Sequence, residues 1–206
     1  MSSYTELDLQ RLVQDTDFNP SANSPLYHNY THLNAVYQLA QVLSTGLRVL
    51  SGVKNDLYCA ALLHDVDHSL DPDLPDEENV ARAMRKAEEA DRLLPGLFNL
   101  RRVQSLILAT EFPDPTAKLD ILDSGERALA EILIDADILS ALTPMSLNNI
   151  VNGLRREKRF TGTPAEWVEK NNAFLASYKA RTQAGREYHA MNVERTMRAC
   201  REAVNA

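Results

Sequence analysis

Along the whole chain apolar residues recur every three to four positions, and nowhere does a sustained two-residue alternation run between Asn-Gly or Asp-Gly turns. The period is helical, and the expected fold class is all-α. Punctuation places the elements. A short helix is expected over residues 5–14, ending before Asn19-Pro20, then one over about 27–44 with Gly46 as its cap, and a third over about 55–66. An acidic, proline-broken loop from Asp67 to Asp76 precedes helices near 77–93, 99–110 and 127–142. Pro144, Thr163-Pro164 and Gly185 divide the remainder into helices near 147–158, 164–182 and 186–204. No composition shift, long linker or internal repeat interrupts the chain. The expectation is one domain over 1–206, a bundle core at about 27–142 with C-terminal helices 147–204 packed on it.

Composition narrows the class. With 44% hydrophobic residues in 206, and only seven glycines, the chain can bury a core without disulfide staples. Cys59 lies in an apolar run and Cys200 near the C-terminus, so neither forms a CxxC or another zinc spacing, and both read as inert thiols of a reducing compartment. The segment MSSYTELDLQ has neither the basic start nor the apolar core of a signal peptide, and no apolar run reaches about 18 residues, so a cytoplasmic protein with no membrane role is expected. A net charge of −7 removes the electrostatic basis for general nucleic-acid binding. The one basic run, Leu154-Arg-Arg-Glu-Lys-Arg-Phe160, is broken by Glu157 and reads as a solvated helix face. An anionic substrate would then need another attractor, and a bound cation would serve.

Histidine placement is the most informative feature. Of the five, His28, His32, His64 and His68 fall within 41 positions, in two pairs each four residues apart. On helices that spacing puts both rings of a pair on one face. His64-Asp65 and His68 follow the apolar run Tyr58-Cys-Ala-Ala-Leu-Leu63, which would anchor its helix in the core and leave the polar groups at the mouth of the bundle. One such pair is easily a chance occurrence of surface or core histidines. Two pairs on successive helices with an adjoining Asp form a candidate metal site of imidazole and carboxylate, suited to Mn, Mg, Fe or Zn with positions left for water. Downstream, Leu133-Ile-Asp135-Ala-Asp137-Ile-Leu139 sets two carboxylates in an apolar stretch. Burial of either demands a partner, and Asp137 is a candidate ligand. Glu111, after Leu106-Ile-Leu-Ala-Thr110, poses the same question more weakly.

The order His32, His64-Asp65, Asp137 resembles the H…HD…D signature of the HD superfamily of metal-dependent phosphohydrolases. The strings Tyr27-His-Asn-Tyr-Thr-His32, His64-Asp-Val-Asp-His68, Leu108-Ala-Thr-Glu111 and Ala136-Asp137 are similar to motifs of class I cyclic-nucleotide phosphodiesterases. The resemblance implies an all-α, PDEase-like helical bundle carrying one or two divalent ions. It implies His32, His64, Asp65 and Asp137 as ligands of the first ion, with Asp65 bridging to a second whose water shell His68 and Glu78 support. Glu111 is a further candidate for that outer shell. His28 would be the general acid, and a metal-activated hydroxide the nucleophile, so that the catalytic candidates are His28, Asp65 and His68. The implied substrate is a small phosphorylated molecule, a cyclic nucleotide or (deoxy)nucleotide, with a 5'-nucleotidase-type phosphatase as the alternative.

The chain also departs from that family. After His68 it reads Ser-Leu-Asp-Pro-Asp-Leu-Pro75, and the Gln and Phe that clamp a purine are not placed by the sequence. Trp167-Val-Glu-Lys-Asn-Asn-Ala-Phe174 offers an aromatic and an amide, but Trp167, Phe174 and Tyr178 at helical spacing equally fit a core stripe. No histidine lies between His68 and Asp137, which argues against the di-iron oxygenase and trinuclear branches of the superfamily. A catalytically idle binding module is the third reading. The acidic loop 71–78 lacks the glycine and spaced Glu of an EF-hand and reads as a solvated loop, and His189 reads as structural.

Overall fold

The computed structural model describes residues 4–69, 71, 73–111 and 116–205, and every regular element among them is helical. Leu70 and Pro72 of the acidic loop lie outside the described residues. In chain order the elements are α1 (Glu6–Gln14), α2 (Tyr30–Leu43), α3 (Ser51–Leu63), α4 (Asp76–Leu93), α5 (Leu100–Leu108), the single turn α6 (Thr116–Leu119) and α7 (Ser124–Ser140). A 3₁₀ turn (Pro144–Ser146) and a π-helical stretch (Asn149–Leu154) lead into α8 (Arg155–Glu157), then α9 (Pro164–Ser177) and α10 (Gln183–Asn205).

Local chemistry sets the helix starts. Asn29, Asn99 and Asp123 cap α2, α5 and α7 by accepting backbone amides of the first turn, and Thr163 does so for α9 with Pro164 at its first position. The cap at Asn29 makes α2 begin three residues later than its periodicity suggests, so His28 precedes the helix and does not share its face with His32. α3 starts earlier and ends at Leu63, so His64 closes the helix and His68 lies beyond it. α2 closes at Ser44, and the left-handed glycine is Gly96 (φ 76°), not Gly46.

The core is built around α2, α3 and α7, which pack on one another. Leu33, Leu62, Leu63, Leu133 and Leu139 are fully buried there, and α1 and α5 close over α3. α10 lies against α7 and α9. A smaller cluster joins Val151, Trp167, Val168 and Cys200, with the indole N–H donating to the Ile150 carbonyl (2.9 Å), which places Trp167 in packing. Both cysteines are buried, and burial pushes their thiols up, so neither is a ready nucleophile. None of the described helices is long and apolar enough to cross a membrane.

The two aspartates of α7 divide their tasks. Asp135 is fully buried and accepts from the Tyr178 hydroxyl (2.8 Å), the Arg181 and Thr182 amides (2.9 and 2.8 Å) and the Thr182 hydroxyl (2.7 Å). It ties the α9–α10 connection to the core, and Tyr178 serves that tie. Gly185 leaves room for it, because a Cβ there would collide with the Asp135 carboxylate. Asp135→Ala strands two amides and two hydroxyls at once. Since one hydrogen bond to a charged group is worth about 1.5–3 kcal/mol, the variant should lose about 2–4 kcal/mol in urea unfolding while its metal content per folded chain stays unchanged.

Candidate active site

Asp137 lies two residues beyond Asp135 on α7 and faces the opposite task. Its carboxylate meets the end of α3 and the start of α2, where His32 and His64 are each only 1% exposed. His32 Nε2 lies 3.2 Å from Asp65 Oδ2 and 3.3 Å from Asp137 Oδ1; His64 Nε2 lies 3.1 and 3.5 Å from the same two atoms. One ligand atom from each of these four residues falls within 4.8 Å of the others.

Tautomers decide what this quartet can do. His64 Nδ1 is 3.0 Å from the Ala61 carbonyl, and a carbonyl only accepts, so Nδ1 carries the hydrogen. The Nε2 of a neutral His64 is then a lone pair aimed at two carboxylates, and it has no hydrogen-bond partner among the described residues. Lone pair against anion is repulsive unless a cation stands between them: a proton or a metal ion. Burial opposes charge on these groups, but the Asp65 carboxylate beside His64 raises the imidazole well above its ordinary range, and His64 in turn holds Asp65 well below the carboxylate range. Asp137 is held low, against its burial, by the adjacent imidazoles of His32 and His64. The donor set fits a divalent ion of the N/O-binding kind, with one histidine braced through its far nitrogen as metal-ligating imidazoles usually are.

Beside the quartet stands a second group. The segment before α2 is folded back by Asn29, whose amide donates to the Ser24 and Leu26 carbonyls (3.0 and 2.7 Å). That turn presents the Tyr27 and His28 amides to Glu157 Oε2 (3.1 and 3.3 Å), while Glu157 Oε1 meets His28 Nδ1 at 2.6 Å. Glu157 is 4% exposed. The basic run is therefore not a solvated face throughout: its one acid points inward and Arg156, Lys158 and Arg159 outward. The π-helical stretch widens the turn ahead of it, a feature frequent at functional sites. Within that stretch Gly153 touches the opposite backbone; a Cβ there would sit 3.0 Å from the Leu26 carbonyl carbon. Burial opposes the charge on Glu157, yet His28 lowers its pKa to about 2, and Asp65 and Glu157 raise His28 despite its own burial.

His68 reaches the site by a turn. After α3 the chain reverses through Asp67 in the left-handed region (φ 62°), held by Arg82 in a forked pair (3.2 and 3.3 Å) and by the Asn19 side chain accepting the Asp67 amide (3.1 Å). The His68 ring then stacks on His28, centroids 3.9 Å apart and 16° from parallel. Its Nδ1 donates to the Ser69 carbonyl (2.9 Å), and burial together with the neighbouring His28 lowers its pKa to about 4.

These groups line a cavity of about 320 Å³. The lining mixes polar His28, Asp65, His68 and Asp137 with apolar Ile138, Ile150, Leu154 and Phe174. Asn171 also lines it, 8% exposed, and its Nδ2 has no hydrogen-bond partner among the described residues. Glu78 and Glu111 are not brought to the cavity. Glu78 is exposed on the first turn of α4, where the next residue, Asn79, faces inward and accepts the Ser69 amide (2.9 Å); Glu111 pairs with Lys118 (3.4 Å). His189 Nε2 donates to the Leu175 carbonyl (2.8 Å), which gives the residue a structural task. Sequence reading missed Glu157, whose only signal was an acid inside a basic helix.

A family model described as HD domain matches residues 29–142, and no curated protein and no solved structure matches the chain. The matched span contains all four residues of the quartet and leaves out His28 and Glu157.

Elemental analysis of purified variants should find His64→Ala and Asp65→Ala depleted of divalent metal and His28→Ala loaded as the wild type. The pH dependence of stability should invert with metal. In the metal-free chain His64, raised above its ordinary 6.5, contributes stability that is complete below that value and lost as pH rises through the folded value, whereas Asp65, lowered from 3.8, contributes above 3.8 and loses it as pH falls. Thermal unfolding should therefore show metal-free stability declining from about pH 6.5 upward. With saturating divalent ion, which needs deprotonated imidazoles, the midpoint should instead rise over that range.

Proposed function

The chain belongs to the HD domain family, a superfamily of metal-dependent phosphohydrolases, and on that premise we propose that it hydrolyses a phosphoester or phosphoanhydride bond of a nucleotide. The observation that carries the reading is the direct adjacency of the quartet to His28, an imidazole braced at Nδ1 by a buried carboxylate with its other nitrogen 3.6 Å from Asp65 Oδ2. His32, His64, Asp65 and Asp137 would hold a divalent ion, which when bound supplies Lewis-acid activation of water and neutralises charge at phosphorus.

The chain's own residues do the rest. Glu157 keeps His28 oriented and favours its protonated form, so Nε2 presents a proton to the leaving oxygen on the quartet side of the cavity. His68, neutral and stacked on His28, limits where that ring can turn. The apolar part of the lining would accept a planar group: Phe174 is 42% exposed, and Ile138 and Ile150 line the cavity too. Asn171, three residues before Phe174 on the same helix, supplies an unpartnered buried amide, able to read the hydrogen-bonding edge of a nucleobase. A volume of about 320 Å³ is at the scale of small-molecule pockets. Cyclic nucleotides and (deoxy)nucleotides are the favoured substrates, and the cytoplasm the favoured location.

Metal-loaded protein incubated with cyclic nucleotides, (deoxy)nucleoside triphosphates and monophosphates, with products identified by mass spectrometry, should release a linear monophosphate, a polyphosphate or orthophosphate in the wild type and nothing in Asp65→Ala. Orthophosphate from monophosphates alone would make the protein a nucleotidase; no turnover by metal-loaded protein across the panel would overturn the nucleotide reading. On the substrate so found, His28→Ala should lower kcat by about 10²–10⁴ with metal retained. Phe174→Ala should instead act mainly on KM.

A further inference from the structure

The two histidines of the quartet are held differently. His64 Nδ1 is fixed by the Ala61 carbonyl (3.0 Å), whereas His32 Nδ1 is buried with no hydrogen-bond partner among the described residues. A metal-ligating imidazole is ordinarily braced through its far nitrogen, which sets both its hydrogen and the plane of its ring. His32 lacks that brace, yet its Nε2 stands 3.2 Å from Asp65 Oδ2 and 3.3 Å from Asp137 Oδ1, as well placed as that of His64. We infer that the ring of Tyr27 supplies the missing brace, and that Tyr27 is the positioning residue for His32 as an ion ligand.

Among the described residues Tyr27 presents the nearest aromatic ring to His32, with centroids 4.6 Å apart and planes tilted by 40°, against 5.3 Å for His64 and 5.4 Å for His28. Ring pairs attract at centroid distances of about 4.5–7 Å, so this contact is at the tight end. A flat ring packed at that distance restricts rotation of the imidazole about χ2 without needing an acceptor at Nδ1. The backbone of His32 is already fixed, because its amide donates to the Asn29 cap (3.2 Å), and only the side-chain angles are left to set. Tyr27 can set them because it is itself held from several sides. Its amide donates to Glu157 Oε2 (3.1 Å), its ring meets His28 edge-on (5.0 Å, 88°), and its hydroxyl end meets Ser140 of α7. Ser140 in turn donates to the Asp137 carbonyl (2.8 Å), one turn back on the same helix. With Tyr27 only 8% exposed, the ring has no room to leave His32. The inference rests on the quartet being an ion site and on no property of the substrate.

Mn²⁺ binding to metal-free full-length protein, followed by the electron paramagnetic resonance of the free ion, tests this role without any turnover. Tyr27→Leu removes the ring, Tyr27→Phe keeps it, and Asp135→Ala lowers stability without touching it; circular dichroism confirms that each is folded. If Tyr27→Leu does not fold, Tyr27→Met, with a side chain that packs more adaptably, takes its place. Loss of the ring should weaken Mn²⁺ binding by about 10–100-fold, the scale on which metal sites respond to removal of a ligand's supporting partner. Tyr27→Phe and Asp135→Ala should bind as the wild type does. Wild-type affinity in Tyr27→Leu would overturn the inference. So would an equal loss in Tyr27→Phe, which would assign the effect to the hydroxyl, or in Asp135→Ala, which would assign it to stability. A wild type that binds no Mn²⁺ would overturn the quartet as an ion site and this role with it, an outcome distinct from failure of the Tyr27 variants alone.

Discussion

Two carboxylates and two buried imidazoles converging on a few ångströms of space set the terms for the rest of this structure. Asp65 and Asp137 repel each other, and a neutral His64 turned toward them with its lone pair adds to the repulsion. Without a cation the cluster is held together only by protons on its histidines, which is a pH-limited arrangement. The protein nonetheless fixes every member. His32 is held by α2, His64 by its bond to the Ala61 carbonyl, and Asp137 by a helix whose neighbour Asp135 is bonded four times over. Rigid scaffolding around a locally unfavourable charge array is the signature of preorganisation, in which stability is given up at the site and recovered in the surrounding core.

Recovery of that kind is visible in the unusual backbone. The left-handed Asp67 is held by both Arg82 and Asn19, and it is this reversal that returns His68 to His28. Further along the chain, the π-helical stretch and the bare Cα of Gly153 allow the helix carrying Glu157 to approach the Leu26–Tyr27 backbone. Each irregularity occurs where a site residue must leave the path of a regular helix. By contrast α2, α5, α7 and α9 start in the ordinary way, capped by Asn, Asp or Thr.

The helical fold was legible because a 3.6-residue apolar period survives along nearly the whole chain, and the quartet because its residues carry a recognisable order. What periodicity could not show was where helices stop. Read as i, i+4 pairs, His28/His32 and His64/His68 suggest two helix faces; the Asn29 cap and the end of α3 at Leu63 instead put one member of each pair in a loop, and the loops bring the two outliers together. Glu157 was illegible because its partner lies 129 residues away and its neighbours are basic, so local pattern assigns it to solvent. Glu78 failed the other way: its place at a helix start suggested a site role, yet the helix rotation that turns Asn79 inward leaves Glu78 outside. Phe174 and Trp167 share a helix and a spacing, and only packing separates the one at the cavity from the one in the satellite core.

Charge around the cavity connects these details to function. Asp65, Asp71, Asp76, Asp137 and Glu157 line it, against Lys158 as the lone Lys or Arg among the lining residues, in a chain whose net charge is already −7. A phosphate approaching such a surface is repelled at every range beyond contact. A divalent ion at the quartet would be the largest single charge in the site and would offset the two carboxylates, Asp65 and Asp137, that face it. For the phosphorylated substrate proposed above, prior occupation of the quartet would favour approach, because the ion offsets the carboxylates the phosphate must face.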